Sequence, residues 1–305
     1  MQLARPFRGI VPPLVTPLLG PDLLDVEGLH RLVEHVLSGG VHGIFVLGTT
    51  GEGPNLSYRL RREVVDRVVR QVDGRVPVLV GVTDTAYQET MDMAAYAAKA
   101  GASAIVLAPP YYFSTSQQDL LRIVRDLALK SELPLFIYNM PSMVKVSFAP
   151  ETVAEAALIP NVHGFKDSSG DIEYLKQVLA LVEKYEDFSV LLGPEALLAE
   201  GMRLGVEGGV NGGANLHPRL YVDLYNASLA GDAAAIQRLQ AELLALGEAI
   251  YEEGDAEYRY IRGLKCALSV LGICSGLPAW PYQPASDELR RSITAHLKST
   301  TLLPS

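Results

Sequence analysis

Short, mostly apolar runs recur along this chain, and the stretches between them carry apolar residues at helical spacing. The runs are "GIVPPLVTP" (9–17), "GIFVLG" (43–48), "PVLVGV" (77–82), "AIVLAP" (104–109), "PLFIYN" (134–139), "VHGFKD" (162–167), "SVLLG" (189–193) and "GGVNGG" (208–213). Strands that do not alternate apolar with polar are buried on both faces, as in a parallel sheet covered by helices. Between them, Leu29, Leu32, Val33, Val36 and Leu37 form one helical stripe after the candidate cap Asp25. Leu60, Val64, Val65, Val68, Val69 and Val72 form another after Ser57. Eight such units in roughly 220 residues predict a (β/α)8 TIM barrel, an α/β fold of ~250 residues. A doubly wound dinucleotide-binding sheet needs a Gly-rich turn after its first strand, and "PPLVTPLLGPD" offers none.

The pattern changes near Ala230. "GDAAAIQRLQAELLALGEAIYEEG", "YRYIRGLKCALSVLG" and "SDELRRSITAHLKS" are helical with no strand between them. We therefore expect a barrel over 1–229 and a C-terminal helical extension over 230–305. A formal net charge of -9 argues against nucleic acid as a partner. No apolar run reaches the ~18 residues of a membrane span, and the N-terminus has no signal-peptide pattern, so a cytoplasmic protein is expected. Cys266 and Cys274 read as buried, reduced thiols. The six histidines show no HxH or HxxxH pair, so no metal site is expected.

"NVHGFKDSSGD" (161–171) places Lys166 at the inner end of a strand, just before turn and cap residues. An ammonium there is expensive to desolvate, and a lysine that gives up its proton is a nucleophile. In barrels of this type the active site lies at the C-terminal ends of the strands. The residues that interrupt the apolar runs all fall at that rim: "GTTGEGPNLS" after the second strand, "PPYYFSTS" after the fourth and "IYNMPS" at the fifth. Lys166, "GPE" and "NGGAN" follow at the sixth, seventh and eighth. They should line one pocket.

A lysine amine there can form an imine with a ketone, and the protonated imine is an electron sink. The turn "GTTG", with Thr49 and Thr50, offers donors to a carboxylate. Tyr138 can relay protons. Ser168, Glu195, Asn211 and the loop after the fifth run, which contains Met143, would form the distal part. Taken singly, each feature also has a plain structural reading. A strand-end lysine can be salt-bridged, Tyr138 can be a core tyrosine, and "GVEGGVNGG" can serve a phosphate site or simply tight packing. Their convergence on one rim carries the enzymatic reading.

The ordered set "GTTGE", "PYY", "YNMPS", "GFKDSSGD" and "GGVNGGAN" resembles the dihydrodipicolinate synthase / N-acetylneuraminate lyase family of pyruvate-dependent aldolases, from about Gly9 to Leu297. The resemblance implies a homotetramer built from tight dimers, with no cofactor beyond a covalent imine at Lys166. It implies that Tyr138 shuttles protons and that Thr49 and Thr50 lie beneath the pyruvate carboxylate, Thr50 also joining the relay. Tyr112 would complete that relay from the neighbouring subunit, and the backbone of Val210 would touch the keto acid. Synthases of the family carry an arginine for the aldehyde's carboxylate where this chain has Met143. Ser168 and Glu195 match positions that bind sugar hydroxyls in the lyase branch. The expected activity is cleavage or formation of a 2-keto-3-deoxy sugar acid or related hydroxy-keto acid, from pyruvate and an aldehyde. The alternatives are dihydrodipicolinate synthase, a keto-deoxy sugar acid dehydratase, and a non-catalytic keto-acid-binding protein.

Overall fold

The computed structural model describes residues 3–251, 258–300 and 302. Eight parallel strands form one sheet: β1 Gly9–Ile10, β2 Ile44–Val46, β3 Val78–Gly81, β4 Ala104–Leu107, β5 Leu135–Asn139, β6 Val162–Asp167, β7 Ser189–Leu192 and β8 Gly208–Gly209. Each pairs with its chain neighbour from β2 to β8, and β8 pairs with β1. The ring closes just beyond β1, where the Leu14 N–H donates to the Phe45 carbonyl at 2.7 Å and the Phe45 N–H donates to that of Pro12 at 3.0 Å. This is the expected (β/α)8 barrel.

The first run is less regular than its neighbours. Pro12 and Pro13 have no N–H to give a ladder, so the strand proper stops at Ile10 and a single bridge joins Pro13 to Phe45. A small antiparallel hairpin, Leu18–Gly20 with Leu23–Leu24, follows and was not foreseen. The eighth run is also short, giving way after Gly209 to a 3-10 turn over Gly212–Asn215.

The helices that follow the strands are α1 Val26–Ser38, α2 Tyr58–Val72, α3 Tyr87–Ala100, α4 Gln117–Lys130, α5 Pro141–Val144, α6 Pro150–Ala156, α7 Ile172–Val182, α8 Leu198–Leu204 and α9 Pro218–Ala230. Asp25 caps α1 by accepting from the Gly28 N–H at 2.8 Å, and Ser57 caps α2 by accepting from Leu60 at 3.2 Å. Three further helices follow: α10 Ala233–Ile250, α11 Arg259–Val270 and α12 Asp287–Ser299. Glu252, Glu253 and Gly254, at the end of the helix expected before α11, lie outside the described residues. Cys266 and Cys274 are both buried. Among the described residues, no helix is long and apolar enough to cross a membrane.

Successive strand residues point to opposite faces, and here each face has its own core. Ile44, Val46, Val78, Val80, Ile105, Ile137, Phe165 and Val190 face the helices. Phe45, Leu79, Val106, Phe136, Tyr138 and Leu191 fill the barrel's interior. On β6 this parity decides where the lysine points. Phe165 packs outward, so its neighbour Lys166 projects inward, where it is only 6% exposed.

Candidate active site

Tyr138 and Lys166 are register partners on β5 and β6, so their side chains enter the interior side by side. The Lys166 Nζ lies 4.0 Å from the centroid of the Tyr138 ring and 5.3 Å from that of Phe45. Aromatic faces attract a cation only weakly. The Tyr138 hydroxyl lies 3.3 Å from Thr49 Oγ1.

The loop that supplies Thr49 is tightly folded. Leu47 and Glu52 both adopt positive φ, 60° and 55°, where non-glycine residues are strained. A Cβ on Gly53 would lie 2.2 Å from the Leu47 carbonyl oxygen, so only glycine fits there. The turn sends consecutive hydroxyls in different directions. The resemblance gave Thr50 a share in the relay with Tyr138, but the structure corrects this. Thr49 meets Tyr138, whereas Thr50 Oγ1 lies 3.2 Å from the hydroxyl of Tyr260 on α11.

The expected single pocket is two lobes separated by Tyr138 and Met140, which line both. One lobe, a cavity of about 420 Å³, is lined by Lys166, Thr50, Ser168, Glu195 and Val210. Its far wall comes from α10 and α11, through Leu243, Tyr251 and Tyr260. The other lobe, about 330 Å³, holds Thr49, Tyr111 and Met143. Among the described residues no arginine lines either lobe.

At the distal end one expectation needs correction and one residue has further partners. Asn211 does not line the Lys166 lobe. Val210 takes the inward position, so the Asn211 side chain turns into the wall, donating to the carbonyls of Leu192 at 3.2 Å and Gly193 at 2.9 Å. It ties the end of β8 to that of β7. Glu195 lines the lobe, but its carboxylate is already held. The Tyr221 hydroxyl donates to Oε2, that of Tyr251 to Oε1 at 3.2 Å, and the Gly213 N–H to Oε1 at 2.6 Å. Burial pushes this carboxyl above its ordinary range, and those donors oppose the shift. Tyr112 reaches none of these groups in its own chain. Its ring is 72% exposed and packs edge-on against Phe113 at 4.9 Å.

Sequence reasoning missed the contribution of α11. Lys265 has no exposure, and its Nζ is ion-paired with the equally buried Glu52 of "GTTGE". Lys265 also donates to the Leu277 carbonyl at 2.9 Å. Glu52 accepts from the Tyr258 hydroxyl and, at 2.6 Å, from the Ala279 N–H. A signal was available. Lys265 lies on the same stripe as Ile261, Leu264 and Leu268, and a lysine there needs a buried partner.

The fold and the rim together define a class: a (β/α)8 barrel with a buried lysine amine at the mouth. The dihydrodipicolinate synthetase family profile matches residues 6–300. Among curated proteins, the 4-hydroxy-tetrahydrodipicolinate synthase of Methanopyrus kandleri is 33% identical over 301 residues, covering 98% of each chain. Among solved structures, dihydrodipicolinate synthase from Bacteroides thetaiotaomicron superposes with a TM-score of 0.94 at 48% identity, covering 98% of this chain and 100% of that one. A prophage protein of the dihydrodipicolinic acid synthase family from E. coli K12, solved with pyruvate, gives 0.91 at 28% identity, covering 97% and 99%. The chain belongs to the dihydrodipicolinate synthetase family, and is a pyruvate-dependent aldolase of that family.

Proposed function

We propose that this enzyme forms an imine between Lys166 Nζ and the keto carbon of pyruvate, or of the pyruvate end of a 2-keto acid. The observation that carries the reading is the inward, nearly unexposed Lys166 set against Tyr138. Attack by the neutral amine gives a carbinolamine, which loses water to the protonated imine. In cleavage, the Tyr138 oxygen takes the C4 hydroxyl proton while electrons of the C3–C4 bond flow into the imine. The aldehyde leaves, the enamine is protonated at C3, and water releases pyruvate and the lysine. Thr49 is the partner that passes protons to and from Tyr138. Tyr112 would extend this relay into a neighbouring subunit of a homotetramer, and its exposure supports that assignment. Borohydride added with pyruvate should leave a reduced pyruvyl adduct on Lys166, read by peptide mass spectrometry. An unmodified Lys166 would defeat the proposal.

Tyr138→Phe keeps the ring and removes only the proton carrier. Its kcat should fall by roughly 10²–10⁴-fold, as for loss of a general acid–base group. Pyruvate should still be trapped on Lys166, and loss of trapping would show that the ring, not the hydroxyl, matters.

For the aldehyde half, the wall supports an uncharged, hydroxylated partner, and so a 2-keto-3-deoxy sugar acid or relative. Among the described residues, the charged ones lining the Lys166 lobe are Lys166, Glu195 and Glu248, and Met143, in the other lobe, cannot grip a carboxylate as a guanidinium does. The names of the relatives favour a second reading, condensation of pyruvate with aspartate semialdehyde. Dehydration of a keto-deoxy sugar acid would begin from the same imine. Rates with aspartate semialdehyde and with neutral hydroxyaldehydes, measured on the wild type and on Met143→Arg, separate the two leading readings. We expect the variant to gain at least about 10-fold in kcat/KM for aspartate semialdehyde, the worth of one charged contact. A wild type that already prefers that aldehyde would establish the synthase reading instead.

A further inference from the structure

The Lys166 lobe contains a phenol that the imine chemistry does not use. Tyr260 is the second residue of α11, and its hydroxyl lies 3.2 Å from Thr50 Oγ1. Both residues line the lobe beside Lys166. Burial, reinforced by Tyr138, Glu195 and Glu52, keeps this phenol protonated well beyond neutral pH. It therefore has a proton to give.

A threonine hydroxyl carries one proton and two acceptor lone pairs, and unpinned it rotates. Once Thr50 Oγ1 accepts from Tyr260, its own proton is available to a third group. The same helix is fixed to the same loop on either side of Tyr260, by the buried Lys265–Glu52 pair five residues on and by Tyr258, which also reaches Glu52. The phenol is thus pre-positioned before any ligand arrives.

We propose that Tyr260 is a positioning residue for the keto acid: its phenol donates to Thr50 Oγ1 and so directs the Thr50 proton toward the carboxylate of the substrate bound at Lys166. The inference rests on the imine reading above, and it makes the C-terminal helices part of the keto-acid site.

The test is the rate of borohydride trapping as a function of pyruvate concentration, for wild type, Tyr260→Phe, Thr50→Val and the double variant. Hydroxyacetone, a ketone without a carboxylate, serves as the control. Tyr260→Phe should raise half-saturating pyruvate about 10-fold, the worth of one hydrogen bond serving a charged group. Its maximal trapping rate and its response to hydroxyacetone should stay near wild type. The double variant should be no worse than Thr50→Val, because Tyr260 acts through that hydroxyl. A wild-type pyruvate response in Tyr260→Phe overturns the proposal, as does an effect that adds fully to that of Thr50→Val. Equal losses with pyruvate and hydroxyacetone would mark Tyr260 as merely structural and overturn it too. Wild type that traps no pyruvate would remove the imine reading itself, and this proposal with it.

Discussion

Lys166→Met should leave a folded protein that forms no borohydride-stable adduct with pyruvate and loses turnover by on the order of 10⁴-fold or more, as when a covalent nucleophile is removed. Methionine matches the length of the lysine stem and enters an interior already built from Phe45, Phe136, Tyr138 and Leu191. The substitution removes a buried amine that the surrounding rings satisfy only weakly, so thermal stability should hold or rise. Activity lost while the melting temperature is kept or raised would locate the effect in chemistry. Lys166→Arg is the companion: it supplies a guanidinium of similar reach that cannot form the imine, and it too should be inactive. Turnover near the wild-type rate in either variant would rule the imine out.

Lys265→Met should behave in the opposite way, losing stability first. It leaves the Glu52 carboxylate buried without its cation, which costs about 3–5 kcal/mol in comparable pairs. The Ala279 N–H and Tyr258 hydroxyl remain as donors, and they set the lower end of that range. The double variant Glu52→Gln/Lys265→Met should recover most of the loss, since a neutral amide can still accept from those donors and no charge is stranded. Urea unfolding at pH 7 measures both. A single variant within about 1 kcal/mol of wild type would show that the two hydroxyl and amide donors suffice. Failure of the double to recover would place the loss in packing around the lysine stem.

Much of the architecture was legible because it is local. Val162 to Asp167 is a strand over the limits read from the residues, and Asp25 and Ser57 cap the helices they precede. Lys166 stood out because a charge in a buried run has few explanations, and strand parity then put it in the barrel. What was not legible depends on contacts between distant segments. Which of Thr49 and Thr50 meets Tyr138 is decided by a turn with two strained residues, not by the string "GTTGE". Asn211 was assigned to the pocket because "NGGAN" ends the eighth run at the rim, and the same parity that brings Val210 inward takes Asn211 away. The docking angle of α11 leaves no trace in its own 3.6-residue period. For that reason Tyr260 and the partner of Lys265 were visible only in three dimensions.

The grip of α11 on the Thr49–Glu52 loop also has a consequence for timing. During synthesis, the eight strands are complete once Gly209 has emerged, and the ring can close around Lys166. At that stage Glu52 lacks its cation and Thr50 lacks its phenol, because Lys265 and Tyr260 have not yet been made. On the mechanism proposed above, the nascent barrel would hold the Lys166 amine before Thr50 has its partner on α11. A ribosome-stalled chain ending before Tyr260 should therefore trap pyruvate less readily than the full chain, and equal trapping would show that the barrel needs no help from α11.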